Sequence, residues 1–245
     1  MDKFVLLLIL HLTVACNKQI VLYPGQKPPA DWTSQLVVVR SPTEASTQAS
    51  LQRFEKIEEK WQPVGRPVAV TVGRSGLAWG SGEHQPQAGL QKREGDGKSP
   101  AGIYSFGQIF GYAPPAEVSF KMPYVHADET LECVDDSKSF YYNRLINSEL
   151  VKKDWSSSEQ MRRPDHQYRW GVVVNHNTPA VAQGGSCIFL HIWKEPGAST
   201  SGCTAMSEPD LLELLHWLDP AKFPQLLQVT EADYPAFRKK YSLPE

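Results

Sequence analysis

Residues 187–206 read CIFLHIWKEPGASTSGCTAM. The first seven alternate with the period of a strand. Cys187, Phe189, His191 and Trp193 therefore share one face, while Ile188, Leu190 and Ile192 point the other way, toward a core. Pro196-Gly197 marks a turn. Gly202 then precedes Cys203, and a helix start follows at once: Ser207 with Asp210 resembles a capping box, Pro209 suits the first turn, and LLELLHWL supplies the apolar stripe. A cysteine just ahead of a helix N-terminus is expected to favour the thiolate. A histidine on the neighbouring strand is placed to take the thiol proton. His191 and Cys203 are thus a candidate base and nucleophile. On residue types alone, a buried structural cysteine and a satisfied core histidine account for the same letters.

Two segments carry a resemblance. HIW…TSGCTAM resembles the signature of the L,D-transpeptidase catalytic domain family (YkuD-like), a histidine followed by [S/T]-x-G-C and usually x-R-M, with Thr200, Gly202, Cys203 and Met206 matching. Upstream, KREGDGKSPAGIYSFG at 92–107 is similar to that family's T-P-x-G-x-[FY] strand through Ser99, Pro100, Gly102 and Tyr104. The two matches span roughly residues 68–229. The departure is Ala205, where many members have arginine.

The resemblance implies an α+β fold, a mostly antiparallel β-sandwich-like catalytic domain with peripheral helices. It implies peptidoglycan stem peptides as substrate, no cofactor, Cys203 as nucleophile and His191 as acid/base. Gly202 and Ser201 would lie on the nucleophile turn, and Thr200 would orient His191. Transfer to an amine, hydrolysis, or a silent peptidoglycan-binding lipoprotein of the same fold are the open outcomes. Lacking an arginine at 205, the substrate would be held by Lys194, Arg162, Arg163 or Arg169, and His176 would approach His191 from a neighbouring strand.

The N-terminus points to the cell envelope. MDKFVLLLILHLTVAC has one lysine before an apolar run too short to span a bilayer, which suits a signal peptide over 1–15. Thr13-Val14-Ala15-Cys16 resembles a lipobox, although Leu12 sits one position early. Cys16 is therefore the expected lipid anchor of a periplasmic, membrane-attached lipoprotein, possible also at the outer membrane. Residues 16–34, rich in Pro, Gly and polar types, read as a tether, and 35–245 as one domain. Four cysteines are present. With Cys16 anchored and Cys203 kept free in an oxidising compartment, Cys133 and Cys187 are the expected disulfide.

The net charge of −2 gives no basic footprint for nucleic acid. Neither H-E-x-x-H nor a zinc-spaced C-x-x-C occurs, so no metal is expected. QLVVVR at 35–40 reads as a strand. Ser41-Pro42-Thr43-Glu44 then looks like a helix cap, and Leu51, Phe54, Ile57 and Trp61 recur at helical spacing. VAVTV at 68–72 follows as a strand. A strand–helix–strand addition is therefore expected at the N-terminal end. Arg169–Asn177 reads as a strand with Val172, Val174 and His176 on one face. The aromatic 120–170 region, Tyr168 included, suits packing beneath long loops more than a sugar- or peptide-binding groove.

Overall fold

The computed structural model describes residues 33–244, so the expected signal peptide and Cys16 lie outside the described residues. The chain is mostly β. Its strands are β1 (Gln35–Ser41), β2 (Gln48–Ile57), β3 (Lys60–Thr71), β4 (Leu77–Trp79), β5 (Ser99–Gly111), β6 (Tyr124–His126), β7 (Leu131–Val134), β8 (Leu145–Asn147), β9 (Ser158–Gln160), β10 (Trp170–Val174), β11 (Phe189–Ile192), β12 (Thr204–Met206) and β13 (Gln225–Thr230). Two α-helices, α1 (Glu208–Trp217) and α2 (Tyr234–Tyr241), accompany them.

The main ladder runs β10-β11-β12-β3-β2-β1-β13-β5, and β5 pairs again with β10. The hydrogen-bonded path closes on itself, so its walls belong to one sheet, where the sandwich reading had two. Pairing is mostly antiparallel; β1–β13 and β11–β12 are parallel. Burial on both faces explains the continuous apolar run of β1: Val37 and Val39 point into the main core, Leu36 and Val38 into a second core roofed by Tyr234 and Phe237 of α2. Each such fully buried aliphatic contributes about 1.5–3 kcal/mol. Helix α1 starts at its Ser207 cap, which accepts from Asp210 N–H, and its Leu211, Leu214 and Leu215 join the main core.

The expected helix over Leu51–Trp61 is a hairpin. Leu51 lies in the main core and Phe54 in the second, on opposite faces of β2. A three-residue spacing thus imitates a helix because both faces of the strand are buried. The turn that would have exposed the error is Glu58-Glu59, both left-handed (φ 47° and 60°), a conformation usually signalled by Asn or Gly. Thr33 and Ser34, which composition assigned to the tether, are bonded to the domain: Ser34 N–H donates to Lys222 O at 2.9 Å and Thr33 Oγ1 to Phe223 O at 2.5 Å.

A small separate sheet, β8-β7-β9, packs over the outside of the main ladder. Its Leu131 and Cys133 meet Phe110, Phe189, Tyr168 and Cys203 in a third core. A disulfide joins Cys133 to Cys187, with Cα atoms 6.0 Å apart, fastening this sheet to the chain just before β11.

Candidate active site

The parallel register of β11 and β12 brings the two singled-out residues together. His191 lies opposite Ala205 in that ladder. Cys203 stands two residues before Ala205, so its side chain emerges on the face His191 occupies, one pairing step along. Both line one cleft of about 520 Å³, at the seam between the main ladder and the small sheet. Cys203 is 7% exposed and His191 4%. Phe189 N–H donates to Cys203 Sγ at 3.3 Å, and the thiol donates to Cys187 O at 3.5 Å.

His191 Nδ1 lies 2.8 Å from the carbonyl oxygen of Ile192. A carbonyl only accepts, so the proton sits on Nδ1 and the Nε2 lone pair is left available. The Tyr168 ring and the imidazole pack edge to face at 5.2 Å between centroids, and the Tyr168 hydroxyl donates to Glu159. Tyr168 also makes an edge-to-face cluster with Phe110 and Phe189, with centroids 5.1–5.6 Å apart.

Burial sets the protonation states. It pulls the His191 imidazole down to about 4 and pushes the Cys203 thiol up, with the nearby Glu159 carboxylate adding to the rise. Burial also holds the Glu159 carboxyl above its usual range. Both shifts favour the thiol and the neutral imidazole, against the thiolate expected from the helix start. Cys203 is followed by β12 before the helix begins at Glu208, so it sits outside the first turn where the dipole acts, and desolvation wins.

The nucleophile turn is braced from several sides. Thr200 Oγ1 donates to Cys203 O at 2.6 Å and accepts from Gly202 N–H at 3.1 Å. Thr200 thus orients the turn, while Ile192 O orients His191. Ser99 Oγ donates to Cys203 O at 2.9 Å and accepts from Gly73 N–H at the same distance. The two sequence segments at 92–107 and 187–206 therefore meet at one carbonyl. A model of the L,D-transpeptidase catalytic domain (YkuD) matches residues 46–229. The chain belongs to this L,D-transpeptidase family. Its members are generally acyltransferases that act on peptidoglycan stem peptides. No curated protein and no solved structure matches the chain.

Within this L,D-transpeptidase domain the remaining expected site residues scatter. Ser201 lines the cleft and accepts from Arg74 Nη1 at 3.0 Å. Lys194 is exposed and does not line it. Arg169 pairs with Glu208 at 3.1 Å, and Arg162 lies over the Tyr112 ring at 4.5 Å, both away from the cleft lining. Arg163 does line it, already paired with Asp165. Ala205 is fully buried between His191 and Thr71 in the ladder.

His176 is not a cleft residue. The strand ends at Val174, where His176 N–H turns back onto Val174 O at 2.7 Å, so the alternation that placed its side chain stops two residues early. Its Nε2 meets Gly184 O at 3.0 Å, its ring packs on Tyr104, and Nδ1 is buried without a partner. Sequence reasoning passed over Arg74, Glu94, Asp135 and Glu159 of the lining; only the position of Arg74 just after the VAVTV strand hinted at a role.

Burial lowers the His176 pKa to about 4 from 6.5. The unfolded chain then binds the extra proton first as pH falls, so stability is full above about 6.5 and is lost toward 4, on the order of 3 kcal/mol from this group. Urea midpoints across this window should fall less steeply for His176→Gln. A curve parallel to wild type would show that His176 does not contribute.

Proposed function

We propose that this protein is a cysteine-dependent L,D-transpeptidase working on peptidoglycan stem peptides in the cell envelope, held at a membrane through Cys16. The observation carrying the reading is the β11–β12 register, which sets His191 and Cys203 on one face of one cleft with Nε2 unprotonated.

Cys203 Sγ attacks the carbonyl of the diaminopimelate–D-alanine bond while its proton passes to His191 Nε2. Because burial favours the protonated thiol, this transfer accompanies attack. Gly202 N–H is committed to Thr200, which leaves the Cys203 N–H as the proposed donor to the oxyanion. Collapse breaks the C–N bond, and His191 returns the proton to the departing amine, giving a thioester. An acceptor amine then attacks the thioester, its proton goes to His191, and the sulfur leaves and is reprotonated. Water in place of the amine gives a carboxypeptidase or amidase outcome.

Mass spectrometry of purified muropeptides incubated with the protein tests this. Loss of D-alanine with a new cross-link, absent with Cys203→Ala, is the expected result; unchanged muropeptides would overturn it. The resting thiol makes a second test. Alkylation of Cys203 by a small reagent should be slower at pH 7 than that of a free thiol and should keep rising beyond pH 9. Rapid alkylation that levels off near neutral pH would instead reveal a thiolate–imidazolium pair.

A further inference from the structure

The cleft contains three cationic side chains, which differ in what they already hold. Lys92 Nζ is paired with Asp96 at 2.6 Å. Arg163 binds Asp165 through two hydrogen bonds, 3.0 and 2.8 Å long. Arg74 has no carboxylate within ion-pair distance among the described residues, and its Nη1 donates only to the Ser201 hydroxyl, at 3.0 Å. Most of its donors are uncommitted.

The guanidinium is nevertheless held in place. Arg74 N–H donates to Thr200 O at 2.8 Å, tying its backbone to the turn that carries Cys203. Its side chain lies across the α-carbon of Gly97, where an added methyl would stand 3.0 Å from Arg74 Cγ, Nε and Cζ. Gly97 has φ +69°, so glycine there supplies both the backbone conformation and the flat bed. Such a fixed fork binds a carboxylate through two parallel N–H···O bonds at little cost in side-chain entropy.

We propose that Arg74 is a specificity-determining residue that binds a free carboxylate of the substrate next to the scissile carbonyl. The proposal rests on the peptide-acyl-transfer reading of the cleft. It also accounts for Ala205: the cation comes from the segment just after the adjoining strand, because Thr71 at the end of β3 is the ladder partner of Ala205 and Arg74 follows three residues later. Two carboxylates could serve, that of the leaving residue and that of the diamino acid's side chain.

The test uses the full protein and three stem-peptide donors: the free acid, its C-terminal carboxamide, and its side-chain carboxamide. Arg74→Met should raise KM for the free acid about 10- to 100-fold with little change in kcat, and Arg74→Lys should recover part of the loss. One carboxamide donor should be indifferent to Arg74→Met, and its identity tells which carboxylate is held. Equal effects on all three donors, or none, would overturn the proposal. Calorimetric binding of the same peptides to Cys203→Ala, with and without Arg74→Met, reads the contact without turnover. A carboxylate-dependent loss of affinity there supports Arg74 even where no donor is converted, a result that would remove only the proposed reaction.

Discussion

Cys203→Ser is expected to lower turnover on a stem-peptide donor by on the order of 10⁴-fold or more while leaving the fold intact. Serine is smaller than cysteine by little, and its oxygen can keep the Phe189 N–H that now reaches Sγ at 3.3 Å. What it loses is acidity and nucleophilicity. The site gives a hydroxyl little help, because the buried His191 is a weak base with a pKa near 4. His191→Ala should match that loss, since both residues act in one proton transfer and their effects are not additive. Single-turnover assays beside circular dichroism check this. A Cys203→Ser variant retaining a tenth of wild-type activity would make the sulfur dispensable and the reading of the cleft wrong.

Breaking the Cys133–Cys187 bridge is the second large effect. It spans 54 residues, so removing it frees an unfolded chain by about 4 kcal/mol in the chain-entropy picture. The loss should appear as a lower urea midpoint for the Cys133→Ala/Cys187→Ala double variant. Activity should fall as well, because β9 carries Glu159 and β7 leads into Asp135 of the cleft lining, and the bridge fixes that wall to the residue whose carbonyl receives the Cys203 thiol. A midpoint shift under 1 kcal/mol would mean that the third core holds the small sheet without help.

Much of the site was legible because its signals are local. Strand alternation over 188–192 sorted Phe189 from Ile188, Leu190 and Ile192 correctly, but Trp193, beyond the strand end, packs against the main core rather than on the Phe189 face; Ser207 marks its helix by its own hydrogen bond. Where the reading failed, the deciding partner is distant in sequence. The helical look of Leu51 and Phe54 comes from two cores contributed by other strands. The protonation of Cys203 depends on Glu159 and on enclosure by the small sheet, neither visible near TSGC. Arg74 reaches the nucleophile turn across a gap of 127 residues that only the ladder closes.

The last strand has a consequence for synthesis. Strand β13, the last strand among the described residues, seats between β1 and β5, parallel to the first and antiparallel to the second. Until residues 225–230 arrive, the barrel stays open, with two long apolar edges unpaired. The other termini of the network, β4, β6, β8 and β9, are three-residue strands too short to recruit a neighbour. Aggregation risk is therefore concentrated in the interval before the C-terminal segment is delivered. A nonsense mutation just before residue 225 would leave His191 and Cys203 in the chain yet yield a sticky, unclosed sheet.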